Sequence, residues 1–197
     1  MYATSVEVDE ECIRDSGKFL AAPDGATARG AARLELWRNL SPVQRSILGS
    51  DGSFTLLLTA LLGHEVKVAL IEQGIDRMPH DGAAIQLQTG ARILNRNVRL
   101  YVERDRNIVF ASSVIALDRI PPPLASDLLA GEETIGRILR NHRLETFREL
   151  VDWGSATTPD EATGHFPNIE MMYRSYRIIS SGKPVMIVTE FFDRRTF

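Results

Sequence analysis

Two pairs of long alternating runs, each pair joined by a short polar turn, constrain this chain more than any other feature. Residues Ala91–Glu103 and Asn107–Leu117 make the first pair, and Met172–Ile179 and Pro184–Phe192 the second. Apolar side chains recur at alternate positions, with Val, Ile and aromatic residues frequent, the pattern of strands that bury a face. The few polar residues between partners leave room for a hairpin but not for a crossover, so each pair is antiparallel. The turns are expected near Asp105 and over Ser180–Lys183.

Helix punctuation supplies most of the rest. Ser41-Pro42 opens a helix that ends near Gly49, with Ser as N-cap and Pro in the first turn. Asp51-Gly52-Ser53 introduces a second helix, Phe54–Leu62, which Gly63 closes. Glu65–Ile75 reads as a strand and Asp76–Ala84 as a loop. After Pro121-Pro122-Pro123, short helices are expected over Leu124–Ala130 and Thr134–Asn141. Glu145–Trp153 reads as a strand, followed by a loop from Gly154 to Pro167. With few βαβ alternations, the order of elements predicts an α+β fold: a mostly antiparallel sheet with helices packed at its edges. Near the N-terminus, Cys12–Ala22 suits a short helix and Ala21–Gly30 a linker. The expected organisation is an N-terminal extension over residues 1–33 and a single domain over 34–197.

Composition narrows the function classes. The chain of 197 residues is 44% hydrophobic, enough for a real core, and carries 23 Lys and Arg against 26 Asp and Glu, a net charge of −3. A slightly acidic chain is a poor match for nucleic acid, which calls for a basic surface. Cys12 is the only cysteine, which excludes an internal disulfide. The longest apolar stretch, Phe54–Gly63, is about half of the roughly 20 residues that span a membrane. The acidic N-terminus, with Glu7, Asp9, Glu10 and Glu11, is unlike a secretory or transit signal. A soluble, cytoplasmic protein with no membrane partner is expected. Nothing demands an oligomer, and a monomer is the expectation.

Two charges stand out against the strand pattern. Leu94, Arg96, Val98, Leu100 and Val102 share one face, so Arg96 is a lone cation among aliphatic neighbours. On the last strand Glu190 shares a face with Met186, Val188 and Phe192, while the opposite face is apolar too; it is buried whichever way the strand sits. A buried charge is costly unless an anion, a cation or hydrogen bonds compensate it. Arg96 and Glu190 can therefore line a polar pocket for a small molecule, or pair with each other as a salt bridge without catalytic meaning. His64, His80, His142 and His165 show no metal-ligand spacing, and one cysteine cannot build a thiolate zinc site. The helix starts at Ser53-Phe54 and Thr134-Ile135 present backbone amides that can receive an anion, although each alone reads as an ordinary capping turn. No phosphate loop, dinucleotide fingerprint or evident Ser, His and Asp set is present.

Six stretches together resemble the chorismate lyases, particularly the mycobacterial and cyanobacterial branch. They are Gly52–Thr55, Arg96–Tyr101, Ser113–Pro121, Thr134–Arg137, His142–Phe147 and, most specifically, Tyr176–Phe192, in family order over about Leu40 to Phe192. The resemblance implies an enclosed ligand cavity in an α+β fold. It also implies conversion of chorismate to 4-hydroxybenzoate and pyruvate with no cofactor and no metal. By the same resemblance, Arg96 binds a substrate carboxylate, the amides of Phe54 and Ile135 share it, and Glu190 binds the ring hydroxyl. Burial of Glu190 would further suit it to proton transfer. Phe54, Leu94, Val98, Met186 and Val188 are the expected apolar wall. The alternatives are a lyase for a modified chorismate, or a non-catalytic module of related fold that binds an aromatic carboxylate.

Overall fold

A computed structural model describes residues 28–103 and 106–197, with side chains from Arg33 onward. The helix read over Cys12–Ala22 and the turn at Asp105 lie outside the described residues. The α-helices among the described residues are α1 (Ala28–Arg38), α2 (Pro42–Gly49), α3 (Phe54–Leu62), α4 (Pro122–Ala130) and α5 (Ile135–Asn141). The strands are β1 (Lys67–Arg77), β2 (Arg92–Val102), β3 (Arg106–Ala116), β4 (Phe147–Thr157), β5 (Glu170–Ser180) and β6 (Lys183–Phe192). They form one sheet in the order β1-β2-β3-β6-β5-β4, antiparallel throughout. No helix among the described residues is long and apolar enough to cross a membrane.

Local chemistry accounts for the helix ends. Ser41 and Gln44 form a reciprocal capping box at the start of α2, and Gly63 closes α3 with φ 68°, a conformation that favours glycine. Three expectations need correction. The second hairpin turns on two residues, Ser181 and Gly182, with φ of 50° and 74°. Both are left-handed, so the turn twists with the strands and lets Ser180 and Lys183 pair, which a four-residue loop would not. Strand β4 runs on to Thr157, four residues into the expected loop, because β5 begins early enough to pair Glu170 with it. Helix α1 starts at Ala28, inside the segment read as linker.

Matched registers align side chains into rows across the sheet, and two rows decide the site. On the helix-covered face one row reads Gln73, Arg96, Ser113, Val188, Tyr176 and Leu150 from β1 to β4. The adjacent row carries Val98, Ala111, Glu190 and Arg174. On one side of these rows Ile47, Leu48 and Leu58 of α2 and α3 pack with Leu100, Val109 and Phe192. On the other, Leu124, Leu128, Ile138 and Leu139 of α4 and α5 pack with Leu94, Ile115 and Met186. The polar rows thus lie in the seam between two apolar packs. The opposite face of the sheet is closed by smaller clusters around Phe110 and Phe191 and around Ile93 and Ala116.

Candidate active site

A cavity occupies that seam. Arg96, Tyr176 and Glu190 line it from the sheet, and Phe54, Ile135 and Gly136 from the helix starts above. Val98 and Val188 supply the expected apolar wall, together with Phe54. Leu94 and Met186 do not: they are fully buried one row away, beneath α4 and α5.

Arg96 is 2% exposed, and among the described residues no carboxylate compensates it. Its Nη2 donates to the main-chain oxygens of Glu133 at 2.9 Å and Gly131 at 3.4 Å, while Nε is buried without a hydrogen-bond partner. Burial pushes the guanidinium down to about 10, still a cation at neutral pH. Because Gly131 and Glu133 belong to the connection between α4 and α5, the same side chain fixes the segment that aims the start of α5 at the cavity.

Glu190 is 5% exposed, and its partner is not Arg96 but Arg174. Arg174 Nε donates to Glu190 Oε2 at 2.8 Å, and the Tyr176 hydroxyl donates to Oε1 at 2.9 Å. The salt bridge between Arg96 and Glu190 considered from sequence is therefore not formed. Arg174 also donates through Nη1 to the carbonyls of Ile47 at 2.5 Å and Ser50 at 2.8 Å, which lie at the C-terminal end of α2, where a cation is favoured. Its guanidinium carbon sits 4.1 Å from the centroid of the Phe54 ring. One arginine thus holds Glu190, the end of α2 and the first residue of α3. Burial, and then the Glu190 carboxylate, push the Tyr176 phenol up, so it remains a proton donor across the physiological range.

Arg174 and Tyr176 were not singled out from sequence, yet the signal was present. Met172, Arg174, Tyr176 and Ile178 alternate on one face of β5 just as Arg96 alternates with aliphatics on β2. Arg174 is thus a second buried cation on an alternating apolar face.

The two helix starts meet at the cavity. In α3 the first helical bond runs from Leu57 N to Ser53 O, so the earlier amides, Phe54 included, are not used by the helix. The Ser53 side chain makes no capping bond, and its hydroxyl is buried without a partner. In α5 the Thr134 hydroxyl accepts from Arg137 N, leaving the amides of Ile135 and Gly136 unused by helix or cap. A Cβ placed on Gly136 would lie 3.5 Å from Ser53 Oγ and 4.0 Å from Thr55 Oγ1, which measures how closely the two starts approach. A buried cation, amide-bearing helix starts and, across the cavity, an anchored carboxylate suit a planar ligand with an anionic end and a hydroxyl.

Comparison with known proteins identifies the family. The chain is 31% identical to a chorismate pyruvate-lyase of Mycobacterium leprae over 185 residues, 87% of this chain and 83% of that protein. It is also 31% identical to a chorismate pyruvate-lyase of Mycobacterium tuberculosis over 167 residues, 81% and 84% of the two chains. Among solved structures, PhnF from Mycobacterium smegmatis superposes with a TM-score of 0.58 at 14% identity, covering 73% of this chain and 64% of that one. A GntR-family transcriptional regulator from Bacillus cereus gives 0.53 at 14% identity, covering 68% and 94%. These two likenesses are of fold. The family model for Rv2949c-like chorismate pyruvate-lyase matches residues 48–196, the stretch that holds every site residue above, and the chain belongs to that family.

Proposed function

We propose that this protein converts chorismate to 4-hydroxybenzoate and pyruvate without a cofactor. The observation that carries the reading is Arg96: a buried cation with no acidic partner among the described residues and an unused Nε, facing a cavity whose other side presents Glu190. Such a site favours an anion by charge and hydrogen bonding together.

The reaction needs no oxidant and no reductant. The ether C–O bond at ring carbon 3 breaks, the hydrogen on carbon 4 leaves the ring, and the departing enolpyruvyl methylene gains a hydrogen to become pyruvate. Aromatisation drives the step, so the protein's task is to orient the substrate and stabilise charge. Arg96 and the amides of Phe54 and Ile135 bind the ring carboxylate. Glu190 accepts a hydrogen bond from the ring hydroxyl with a lone pair not taken by Arg174 or Tyr176. With both oxygens anchored, Glu190 cannot swing, which fixes the ring between two charged groups of opposite sign. Bonded by a cation and a phenol, it acts here as an acceptor, and the hydrogen leaving the ring is not assigned to it.

The test is incubation of the purified protein with chorismate, chromatography for 4-hydroxybenzoate and an independent pyruvate assay. Equimolar products, lost in a folded Arg96→Ala variant, are expected. Binding of 4-hydroxybenzoate without turnover of chorismate would replace this reading with that of a ligand-binding module.

A further inference from the structure

A second arginine borders the cavity and is not accounted for by the site above. Arg148, on β4, lines it, is part-buried, and has no acidic partner among the described residues. Its neighbour Glu149 faces the other way and is bonded to Arg177 at 2.5 Å, so it does not neutralise Arg148. Arg148 also acts on the phenol of Tyr176, where its charge opposes the upward push of burial and Glu190. On β4, Arg148 pairs with Ile178 of the neighbouring β5, two residues from Tyr176, whereas Arg96 lies four strands away on β2.

Register sets how far apart the two cations start. Arg96 shares a row with Ser113, Val188, Tyr176 and Leu150, and Arg148 lies two residues from Leu150 on the same face. Between β2 and β4 there are four strand spacings of about 4.8 Å, so the two backbones are roughly 19 Å apart. Both long side chains border one cavity, from strands toward opposite edges of the sheet. A ligand lying between them meets a cation at each end. One carboxylate satisfies only one of these.

We propose that Arg148 binds a second carboxylate, the one carried on the ether side chain of a dianionic substrate, and so makes the site select dicarboxylates over 4-hydroxybenzoate. This rests on the reading of the site given above and adds the residue that distinguishes substrate from product. Product lacks the second carboxylate, so it keeps the contacts to Arg96, the two amides and Glu190 but makes none to Arg148.

The experiment is calorimetric titration of the full chain with two stable probes, 3-carboxymethoxy-4-hydroxybenzoate and 4-hydroxybenzoate. Wild type is expected to bind the dicarboxylate more tightly. Arg148→Gln should weaken the dicarboxylate about 10- to 100-fold, the range of one charge-assisted pair, and change 4-hydroxybenzoate less than about twofold. Arg148→Lys, which keeps a charge but not the fork, should fall between. Equal losses for both probes would make Arg148 structural, and an unchanged dicarboxylate affinity, or no preference in wild type, would equally overturn the proposal. Thermal melts of each variant separate misfolding from lost contacts. Because the probes are not turned over, a wild type that prefers the dicarboxylate yet leaves chorismate intact would defeat the assigned reaction without touching Arg148.

Discussion

Arg96 Nη2 donates a 2.9 Å hydrogen bond to the main-chain oxygen of Glu133, a neutral acceptor where a buried guanidinium would ordinarily meet a carboxylate. The contact orders the connection into α5 but leaves the charge uncompensated. Uncompensated charge is the form in which a binding site stores its affinity for an anion.

Arg96→Ala should therefore separate activity from stability. No carboxylate loses its partner, and only two carbonyl contacts go. The melting temperature should move by no more than about 2–4 °C, equivalent to about 1 kcal/mol for a domain of this size. kcat/KM for chorismate should fall by about 10²- to 10³-fold, the effect of removing the charged partner of a buried anion. A large drop in melting temperature accompanying the lost activity would make Arg96 structural.

Glu190→Ala should behave in the opposite way. It leaves Arg174, which is 0% exposed, without its carboxylate. Breaking a buried pair from one side costs about 3–5 kcal/mol, whereas replacing both members with apolar residues of similar size is often near neutral. Denaturant unfolding of Glu190→Met, Arg174→Met and the double variant Glu190→Met with Arg174→Met, beside Glu190→Ala, tests this. The double variant is expected to be more stable than the sum of single losses, and strict additivity would mean the pair is not coupled. All of these variants should lose turnover, so activity alone cannot report on the pair.

Tyr176→Phe keeps the ring beside Arg174 and removes the donor to Glu190 Oε1. A hydrogen bond to a charged group contributes about 1.5–3 kcal/mol. The variant also carries a pH signature. The phenol is held above its ordinary value in the folded chain, so the folded state retains its proton where the unfolded state has lost it. Its stabilising contribution is complete below about pH 10 and declines as pH rises further. Wild type should lose stability above that point more steeply than Tyr176→Phe in urea titrations at stepped pH. Parallel curves would contradict the placement of the phenol.

Gly136→Ala probes the gap between the helix starts. The added methyl would stand 3.5 Å from Ser53 Oγ, an ordinary contact, and alanine is the better helix former by up to about 1 kcal/mol. The fold should be unharmed or slightly stabilised. The methyl occupies space where the amides of Phe54 and Ile135 would receive a carboxylate, so KM for chorismate should rise about tenfold, a cost of about 1.4 kcal/mol. Unchanged kinetics would mean that the carboxylate does not sit in this gap.

The legible part of the site was the part in which a charge broke a simple period. Arg96 among Leu94, Val98 and Leu100, and Glu190 on a strand apolar on both faces, could be marked because alternation fixes which side chains share a face. Arg174 carried the same mark on β5 but was obscured by neighbouring polar residues, Ser175 and Arg177, that made the run look mixed. Arg148 carried none: β4 is broken by a register shift between Leu150 and Asp152, which moves its two ends out of a single alternation. The wall residues divided the same way. Val98 and Val188 lie in rows the helices straddle, whereas Leu94 and Met186 share faces with them but sit under α4 and α5.

By itself the sequence determined the local structures and the composition of the faces: both hairpins, the helix starts at Ser41 and Ser53, and the burial of Arg96 and Glu190. These depend on backbone period, capping chemistry and turn residues, which act over a few neighbours. Only the tertiary structure decided who partners whom. Residues 96, 174 and 190 come from three strands, and an arginine and a glutamate carry no information about which of several buried charges they will meet. The sheet order put β5 beside β6, so Arg174 reached Glu190 first, and β3 kept β2 one strand further off. Strand order is set by packing the whole apolar surface at once, and it left Arg96 with a positive charge and no acid among the described residues to answer it.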